Sequence, residues 1–107
     1  MDAIKSLYET ILDRRENPKA GSYTNYLFDQ GIDKILKKCG EECSEVIIAA
    51  KNGKKEDIIY EMGDLAYHML ILAADCGITP DDVAAELEKR SHKSGNLKTF
   101  HQTDKNS

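Results

Sequence analysis

The sequence predicts an all-α fold, and three observations support that prediction. Apolar residues recur every three or four positions in four separate stretches, which is the spacing of a buried helix face. No stretch alternates apolar and polar residues as a strand does. Helix-breaking pairs such as Asn17-Pro18 and Asn52-Gly53 separate the periodic stretches. We therefore expect a bundle of four to five helices in a single domain that spans residues 1–107.

The first helix is predicted near the N-terminus, where apolar side chains follow the spacing i, i+3, i+4, i+7, i+8. These side chains are Ile4, Leu7, Tyr8, Ile11 and Leu12. Asn17-Pro18 ends the helix because a residue before proline avoids the helical backbone conformation. Residues 23–30 are expected to contain a helical turn.

Two long helices are predicted on either side of Gly53, over residues 32–51 and 56–76. Asn52-Gly53 ends the first of them, and Gly77 ends the second. The expected core stripe of the first long helix is Ile32, Ile35, Leu36, Cys39, Cys43, Val46, Ile47 and Ala50. Gly40 and Gly63 lie inside these helices. Glycine there costs about 1 kcal/mol relative to alanine, and close helix packing is the expected reason.

A last helix is predicted to begin at Pro80. Thr79 precedes it as a typical N-cap, proline suits the first helical position, and two aspartates add negative charge to the first turn. This helix is expected to reach about Ser91. The polar tail that starts at about residue 92 is expected to be loose.

Composition and charge exclude several classes of protein. The 107 residues carry 15 Lys and Arg against 19 Asp and Glu, a net charge of −4. An acidic chain without a basic run is not expected to bind nucleic acid or an anionic membrane surface. No run reaches the roughly 18 apolar residues of a membrane-spanning helix. No targeting signal is evident and the three cysteines cannot all pair with one another, so we expect a cytoplasmic location.

The helix predicted over residues 56–76 is apolar nearly all round. Ile58, Met62, Leu65, Met69 and Leu72 line one side, and Tyr60, Tyr67 and Ile71 lie on the opposite side. Such a helix is normally buried on every side, and a chain of 107 residues has little material to cover it. The helix is either the centre of one bundle or part of a homodimer. We favour the homodimer because Ile48, on the preceding helix, also points away from its own core stripe.

Acidic residues on the two long helices are expected to face one another across the turn at Gly53. Glu42 and Glu45 lie three residues apart on the first helix, and residues at this spacing share a helix face. Glu61 and Asp64 have the same spacing on the second helix. In an antiparallel hairpin, residues equidistant from the turn lie opposite each other. Glu45 therefore faces Glu61, and Glu42 faces Asp64 by the same rule.

Such a cluster predicts a metal site. Four carboxylates beside a core would repel one another, and burial would raise their pKa values. A hard divalent cation relieves both effects, and ligation by oxygen alone suits Mg²⁺ or Mn²⁺ better than zinc. A di-iron bundle fits poorly because it needs Glu-x-x-His, and no Glu in this chain has His three residues later. The alternative is a solvated acidic face, which is common in a chain with 32% charged residues.

Basic side chains share this region. Lys34 and Lys38 lie one and two turns before the acids, on the same side of the helix. Beside carboxylate-bound metal, these lysines would neutralise the remaining charge of a triphosphate or pyrophosphate. The alternative is a simple ion pair between Lys38 and Glu41. His68 follows Asp64 by four residues and is expected either to support the metal cluster or to be a core histidine.

At these residues the sequence resembles a known group of enzymes. Glu41-Glu42-x-x-Glu45, followed by Glu61-x-x-Asp64, resembles the acidic signature of the MazG-like all-α nucleotide pyrophosphohydrolases. The residues that flank this signature resemble one family of that group in particular, the phosphoribosyl-ATP pyrophosphohydrolases of histidine biosynthesis. These flanking residues include Ser22-Tyr23-Thr24, residues 34–42, residues 64–68 and Lys93-Ser94-Gly95. The resemblance covers about residues 3–97.

The resemblance implies an activity and a set of site residues. The implied reaction is Mg²⁺-dependent hydrolysis of phosphoribosyl-ATP to phosphoribosyl-AMP and pyrophosphate by a helical homodimer. The implied metal ligands are Glu42, Glu45, Glu61 and Asp64. Glu42 is also an implied catalytic residue, together with Glu41. Glu41 would either contact the metal ligands without binding the metal itself or orient the attacking water. The implied substrate contacts are Tyr23, Lys34, Lys38, Arg90 and Lys93.

Two other functions fit the same sequence. A MazG-like enzyme that hydrolyses free nucleoside or deoxynucleoside triphosphates would use the same metal site, so substrate preference distinguishes it. A non-enzymatic helical dimer would carry the acids as a solvated face. In that case Glu42→Gln and Glu61→Gln would have no Mg²⁺ binding or activity to remove.

Overall fold

The computed structural model describes residues 2–92 as five α-helices, and this part of the chain contains no strand. The helices are α1 (Ala3–Glu16), α2 (Tyr23–Gln30), α3 (Ile32–Asn52), α4 (Lys55–Asp75) and α5 (Pro80–Ser91). The all-α prediction is confirmed, and the turn expected over residues 23–30 is a complete short helix. The tail expected beyond residue 92 lies outside the described residues.

Local capping explains where several helices begin. The Asp2 carboxylate accepts hydrogen bonds from the backbone N–H groups of Ile4 and Lys5, at 3.0 and 3.1 Å. Thr79 and Asp82 form a reciprocal capping box at the start of α5, with hydrogen bonds of 3.1 and 2.9 Å. These bonds satisfy backbone donors that a helix N-terminus leaves without an internal partner.

The α3–α4 hairpin is the centre of the fold. Gly53 lies between the two helices with φ = +80°, a left-handed conformation that glycine adopts without steric cost. Helices α3 and α4 share the most extensive interhelical contact, and α1 and α2 pack against one side of the pair. The buried core between them is formed by Tyr8, Ile11, Leu27, Ile35, Ile71 and Ala74.

The core stripe expected on α3 is wrong at several positions. Ile35 and Cys39 are buried. The side chains that are exposed instead are Ile32, Leu36, Cys43, Ile47 and Ala50. At about 100° per residue, these five lie on a sector beside the buried one, so the apolar surface of α3 is wider than this chain covers. Cys43, expected to be buried, is an exposed free thiol.

Helix α4 is likewise covered on one side only. Ile71 is fully buried against α1 and α2, whereas Met62 and Met69 are about half exposed. Beside Met69, an apolar groove runs between α4, α5 and Ile4 at the start of α1. A Cβ added to Gly40 or Gly63 would meet no atom within 4 Å, so packing within the chain does not explain either glycine.

No helix within residues 2–92 is long and apolar enough to span a membrane.

Candidate active site

The α3–α4 interface brings Glu42 and Asp64 together. Glu42 is only 8% exposed, and its carboxylate oxygen lies within 4.8 Å of one of Asp64. Burial raises the pKa of Glu42, and hydrogen bonding to Asp64 and the negative charge of Asp64 raise it further. His68 and Lys38 oppose part of this rise. Because like charges repel, the Glu42–Asp64 pair carries one negative charge more easily than two.

Glu45 and Glu61 lie nearer the turn. Burial raises the pKa of Glu61, followed by the negative charges of Glu45, Asp64 and Asp57. Glu45 and Glu61 also line a shared open cleft of about 270 Å³. The second pair of acids therefore lies close enough to the first for their charges to interact.

The tightest group of prospective metal ligands differs slightly from the predicted set. Among the described residues, it consists of Glu42, Asp64 and His68, whose ligand atoms all lie within 4.8 Å of one another. Glu45 and Glu61 are adjacent to this group but not part of it. Metal ligation by the four predicted carboxylates stays a prediction, and the structure places them around one section of the α3–α4 interface.

Lys38 lies beside the acids and is already paired. Its Nζ is 3.3 Å from a carboxylate oxygen of Glu41, as the ion-pair alternative predicts. Partial burial alone would lower the pKa of Lys38, but the hydrogen bond to Glu41 and the charges of Tyr23 and Glu42 outweigh it, and the pKa is raised. Lys38 therefore keeps its positive charge next to the acidic cluster.

Tyr23 projects from α2 toward the same region. Its hydroxyl lies 3.1 Å from Nε2 of His68. Burial raises the pKa of Tyr23, Lys38 opposes part of the rise, and Asp64 and Glu42 add to it. The Tyr23 ring stacks on Tyr26, with centroids 6.0 Å apart.

Lys34 is one step further from the acids. Its Nζ lies 6.0 Å from the ring centroid of Tyr26. Of the five predicted substrate contacts, the structure therefore brings Lys38 and Tyr23 to the acids and leaves Lys34 at the edge of the aromatic pair.

One predicted substrate contact, Arg90, is not brought to the acids. Arg90 donates to Glu86 at 2.9 Å on its own helix, and α5 packs against α1. Lys93 lies outside the described residues.

A link between α2 and α4 was not predicted from the sequence. Thr24 Oγ1 lies 2.6 Å from the Tyr67 hydroxyl, beside the Tyr23–His68 contact. These partners are 43 and 45 residues apart, so helical periodicity carries no signal for them. The only sequence signal was that Tyr67 lies on the side of the helix predicted over residues 56–76 for which no packing partner within the chain was expected.

The chain matches one protein family over most of its length. The family model for phosphoribosyl-ATP pyrophosphohydrolase matches residues 4–91. A phosphoribosyl-ATP pyrophosphatase of Clostridium novyi is 55% identical over 98 residues, covering 92% of this chain and 89% of that protein. A protein of the same name from Pelotomaculum thermopropionicum is 59% identical over 92 residues, covering 86% of this chain and 94% of that protein.

A third relative is larger. The histidine biosynthesis bifunctional protein of Caldanaerobacter subterraneus is 53% identical over 93 residues, covering 87% of this chain and 45% of that protein. Given a match over nearly all of its described residues, the chain belongs to the phosphoribosyl-ATP pyrophosphohydrolase family.

Proposed function

We propose that this chain hydrolyses phosphoribosyl-ATP to phosphoribosyl-AMP and pyrophosphate in histidine biosynthesis, with Mg²⁺ held by the acids of α3 and α4. Family membership supports the substrate. The observation that carries the mechanism is the buried Glu42 carboxyl held against Asp64. Two acids kept in contact beside a core destabilise the fold unless a positive charge joins them.

The donor set fits a hard divalent cation. Carboxylate oxygens are the preferred ligands of Mg²⁺ and Mn²⁺. Burial first and neighbouring acids second raise the pKa values of Glu42 and Glu61, and a bound cation would favour the charged form of both groups. Glu42, Glu45, Glu61 and Asp64 are the side chains that would hold it. His68 is less suited, because both of its ring nitrogens already have partners within the protein.

The reaction adds water across a phosphoric anhydride. The water oxygen forms a new bond to phosphorus, the anhydride P–O bond breaks, and pyrophosphate leaves. When bound, Mg²⁺ neutralises phosphate charge and lowers the pKa of a coordinated water. Glu41 and Glu42 are the proposed carboxylates for receiving the water proton or orienting the water.

Phosphate binding falls to the basic residues beside the acids. Lys38 stays charged and lies next to Glu42, so its ammonium group can neutralise a phosphate oxygen. Its present partner, Glu41, is half exposed, and such surface pairs exchange partners at little cost in free energy. Tyr23 and Lys34 extend this surface along α2 and the start of α3. Arg90 and Lys93 stay in the proposal as contacts made by the C-terminal region.

A homodimer is part of this proposal. The α3–α4 hairpin exposes Leu36, Ile47, Met62 and Met69. Large exposed apolar patches mark interaction sites. Gly40 lies on the same sector of α3 as Leu36 and Ile47, with open space where a Cβ would be, so a second helix could approach closely. We propose a second copy of the chain as the occupant.

A cytoplasmic location, expected from three free thiols, completes the proposal.

A pyrophosphate-release assay tests the activity. The wild-type chain is supplied with phosphoribosyl-ATP with and without Mg²⁺, and in parallel with deoxynucleoside triphosphates. We expect Mg²⁺-dependent release that is faster with phosphoribosyl-ATP, near-complete loss in Asp64→Asn, and wild-type rates in Asp81→Asn, an exposed aspartate of α5. Equal or faster turnover of deoxynucleoside triphosphates would instead favour the MazG-like hydrolysis of free nucleoside triphosphates, and no release from any substrate would refute both activities.

A further inference from the structure

His68 is a buried polar group to which the proposed chemistry assigns no role. It lies on α4 one turn after Asp64 and is only 3% exposed. The rings of Tyr67 and Tyr23 pack edge-on against it, with centroids 5.1 and 5.8 Å away. A ring nitrogen of His68 and carboxylate oxygens of Asp64 and Glu42 all lie within 4.8 Å of one another. His68 is therefore placed to act on the acids directly.

The contacts of its two ring nitrogens assign the tautomer of His68. Nδ1 lies 2.8 Å from the main-chain oxygen of Asp64, and a carbonyl oxygen only accepts, so Nδ1 carries a proton. In the neutral ring, Nε2 then has a lone pair, and the Tyr23 hydroxyl 3.1 Å away donates to it. The ring is therefore held from two helices, at Nδ1 by α4 itself and at Nε2 by α2.

The Nδ1 proton also faces the Asp64 side chain. Nδ1 is 3.5 Å from the carboxylate oxygen Oδ1 of Asp64, in addition to its shorter hydrogen bond to the main-chain oxygen. An N–H group shared between two acceptors of one residue attracts that carboxylate toward the ring. The Asp64 side chain is 33% exposed and the His68 side chain only 4%, so the buried ring is the fixed partner and the carboxylate is the group that it restrains.

We propose that His68 is a positioning residue for the cation site: its Nδ1–H holds the Asp64 carboxylate beside Glu42, and the Tyr23 hydroxyl fixes the ring from α2 by donating to Nε2. The inference rests on the proposed function, in which Asp64 is a cation ligand. A carboxylate held in place before the cation arrives loses less conformational freedom on binding, which strengthens the affinity. The hydroxyl of Tyr23 thereby serves the cation site, and its partly exposed ring is left to contact substrate.

Three other roles for these residues predict different behaviour. If His68 bound the cation itself, a histidine nitrogen would be coordinated to it. If His68 were only a core residue, its substitution would affect folding and leave the cation affinity of the folded protein unchanged. If Tyr23 only fastened α2 to α4, breaking the neighbouring Thr24–Tyr67 contact of 2.6 Å would have the same effect as removing the Tyr23 hydroxyl.

The test compares five variants of the full chain: Tyr23→Phe, His68→Leu, His68→Asn, the Tyr23→Phe/His68→Leu double variant and Tyr67→Phe. His68→Asn keeps an N–H donor near the position of Nδ1, whereas His68→Leu removes both ring nitrogens. Tyr67→Phe is the matched control, because it also removes one hydroxyl contact between α2 and α4 and keeps its ring against His68.

Three measurements are made, and none depends on the substrate. Calorimetry gives the Mn²⁺ affinity of each variant that circular dichroism shows to be folded. Nitrogen-15 NMR of the metal-free wild type reports which ring nitrogen of His68 is protonated. Electron spin echo spectroscopy of the Mn²⁺-loaded wild type detects a directly coordinated histidine nitrogen. Tyr23 is 43% exposed, so Tyr23→Phe is informative even if a His68 variant does not fold.

We expect the proton on Nδ1 of His68 and no histidine nitrogen coordinated to Mn²⁺. The Mn²⁺ Kd should rise about tenfold in His68→Leu, as for other residues that orient a metal ligand. It should rise roughly threefold in Tyr23→Phe, the effect of one hydrogen bond, and stay within about twofold of the wild-type value in Tyr67→Phe. The double variant should be no weaker than His68→Leu, and His68→Asn should recover most of the loss.

Several results would overturn the inference. A histidine nitrogen of His68 coordinated to Mn²⁺ would make His68 a ligand, and a proton on Nε2 instead of Nδ1 would remove the donor from Asp64. Wild-type Mn²⁺ affinity in folded His68→Leu or in Tyr23→Phe would leave the pair a structural contact. Equal losses in Tyr23→Phe and Tyr67→Phe would assign the effect to the docking of α2. Absence of Mn²⁺ binding by the wild type would refute the proposed function itself, so the two failures are distinguishable.

Discussion

The carboxylate oxygens of Glu42 and Asp64 lie within 4.8 Å of each other across the α3–α4 interface, although 22 positions separate the two residues in the sequence. Both lie eleven residues from Gly53, so one antiparallel hairpin is enough to bring them together. The contact is unfavourable for two ionised acids. The fold nevertheless keeps the two acids together, so the metal-free protein loses stability at the position where a cation would bind.

Replacing Glu42 by glutamine should stabilise the metal-free protein. Glu42→Gln removes a charge that is both buried and beside Asp64, and we expect a gain of about 1 kcal/mol in the free energy of unfolding, typical of relieving active-site strain. Urea unfolding without divalent cations measures the change. Glu9→Gln, an exposed substitution on α1, should stay within about 0.5 kcal/mol of the wild type. A marked loss of stability in Glu42→Gln would mean that the carboxyl pair supports the fold.

The stability of the metal-free protein should also depend on pH in a defined direction. Because the folded state raises the pKa of Glu42, it binds that proton more tightly than the unfolded chain does. The stabilising contribution of this proton is present below the unfolded pKa of about 4.3. It is lost as the pH rises through the higher folded value.

This dependence is isolated by subtracting the free energy of unfolding of Glu42→Gln from that of the wild type at each pH. The free energy of unfolding of the wild type, relative to the variant, should fall as the pH rises above about 4.3, the ordinary pKa of a glutamate. Urea unfolding at several pH values checks it. A difference that rises with pH would show that the environment of Glu42 favours its charged form.

Lys38 should matter for the phosphate chain and little for stability. Lys38→Ala removes the ammonium group beside Glu42, and we expect KM for phosphoribosyl-ATP to rise about tenfold, the loss of one charge-assisted hydrogen bond. Its pair with Glu41 is on the surface, so Tm should change little. Steady-state kinetics against Lys37→Ala, the exposed neighbouring lysine, provides the comparison. Equal KM values in the two variants would remove Lys38 from the site.

The exposed apolar sector of α3 should form the dimer interface. Ile47 is 63% exposed in the single chain, where an Ile47→Glu substitution alone would cost at most about 0.5 kcal/mol. If a second copy covers Ile47, the buried charge should instead convert the dimer to monomer. Sedimentation velocity distinguishes these outcomes, with Lys37→Glu as the control on the polar side. A dimer that persists in Ile47→Glu would place the interface elsewhere.

The sequence predicted the helices well because their signals are local. Thr79 and Pro80 mark the start of α5, Gly53 marks the hairpin, and each signal acts within a few residues. The proximity of Glu42 to Asp64 was also predictable, because a single tight turn relates positions on two rigid helices.

The remaining features depend on packing between distant segments. Leu36 and Ile35 are adjacent in an apolar pattern, yet one is half exposed and the other is buried, since periodicity does not say which apolar sector faces the chain's own core. The His68 bond to Tyr23 needs the position of α2 against α4, which no local pattern specifies. The expected burial of Cys43 was wrong for the same reason as that of Leu36.

The central claim is that facing carboxylates of α3 and α4 bind a divalent cation, and a calorimetric titration with Mn²⁺ tests it most directly. The wild type and Glu9→Gln should bind Mn²⁺ with the same affinity. Glu42→Gln and Asp64→Asn should each weaken binding by tenfold or more while remaining folded, as circular dichroism would verify. Wild-type Mn²⁺ affinity in folded Glu42→Gln and Asp64→Asn would contradict the claim.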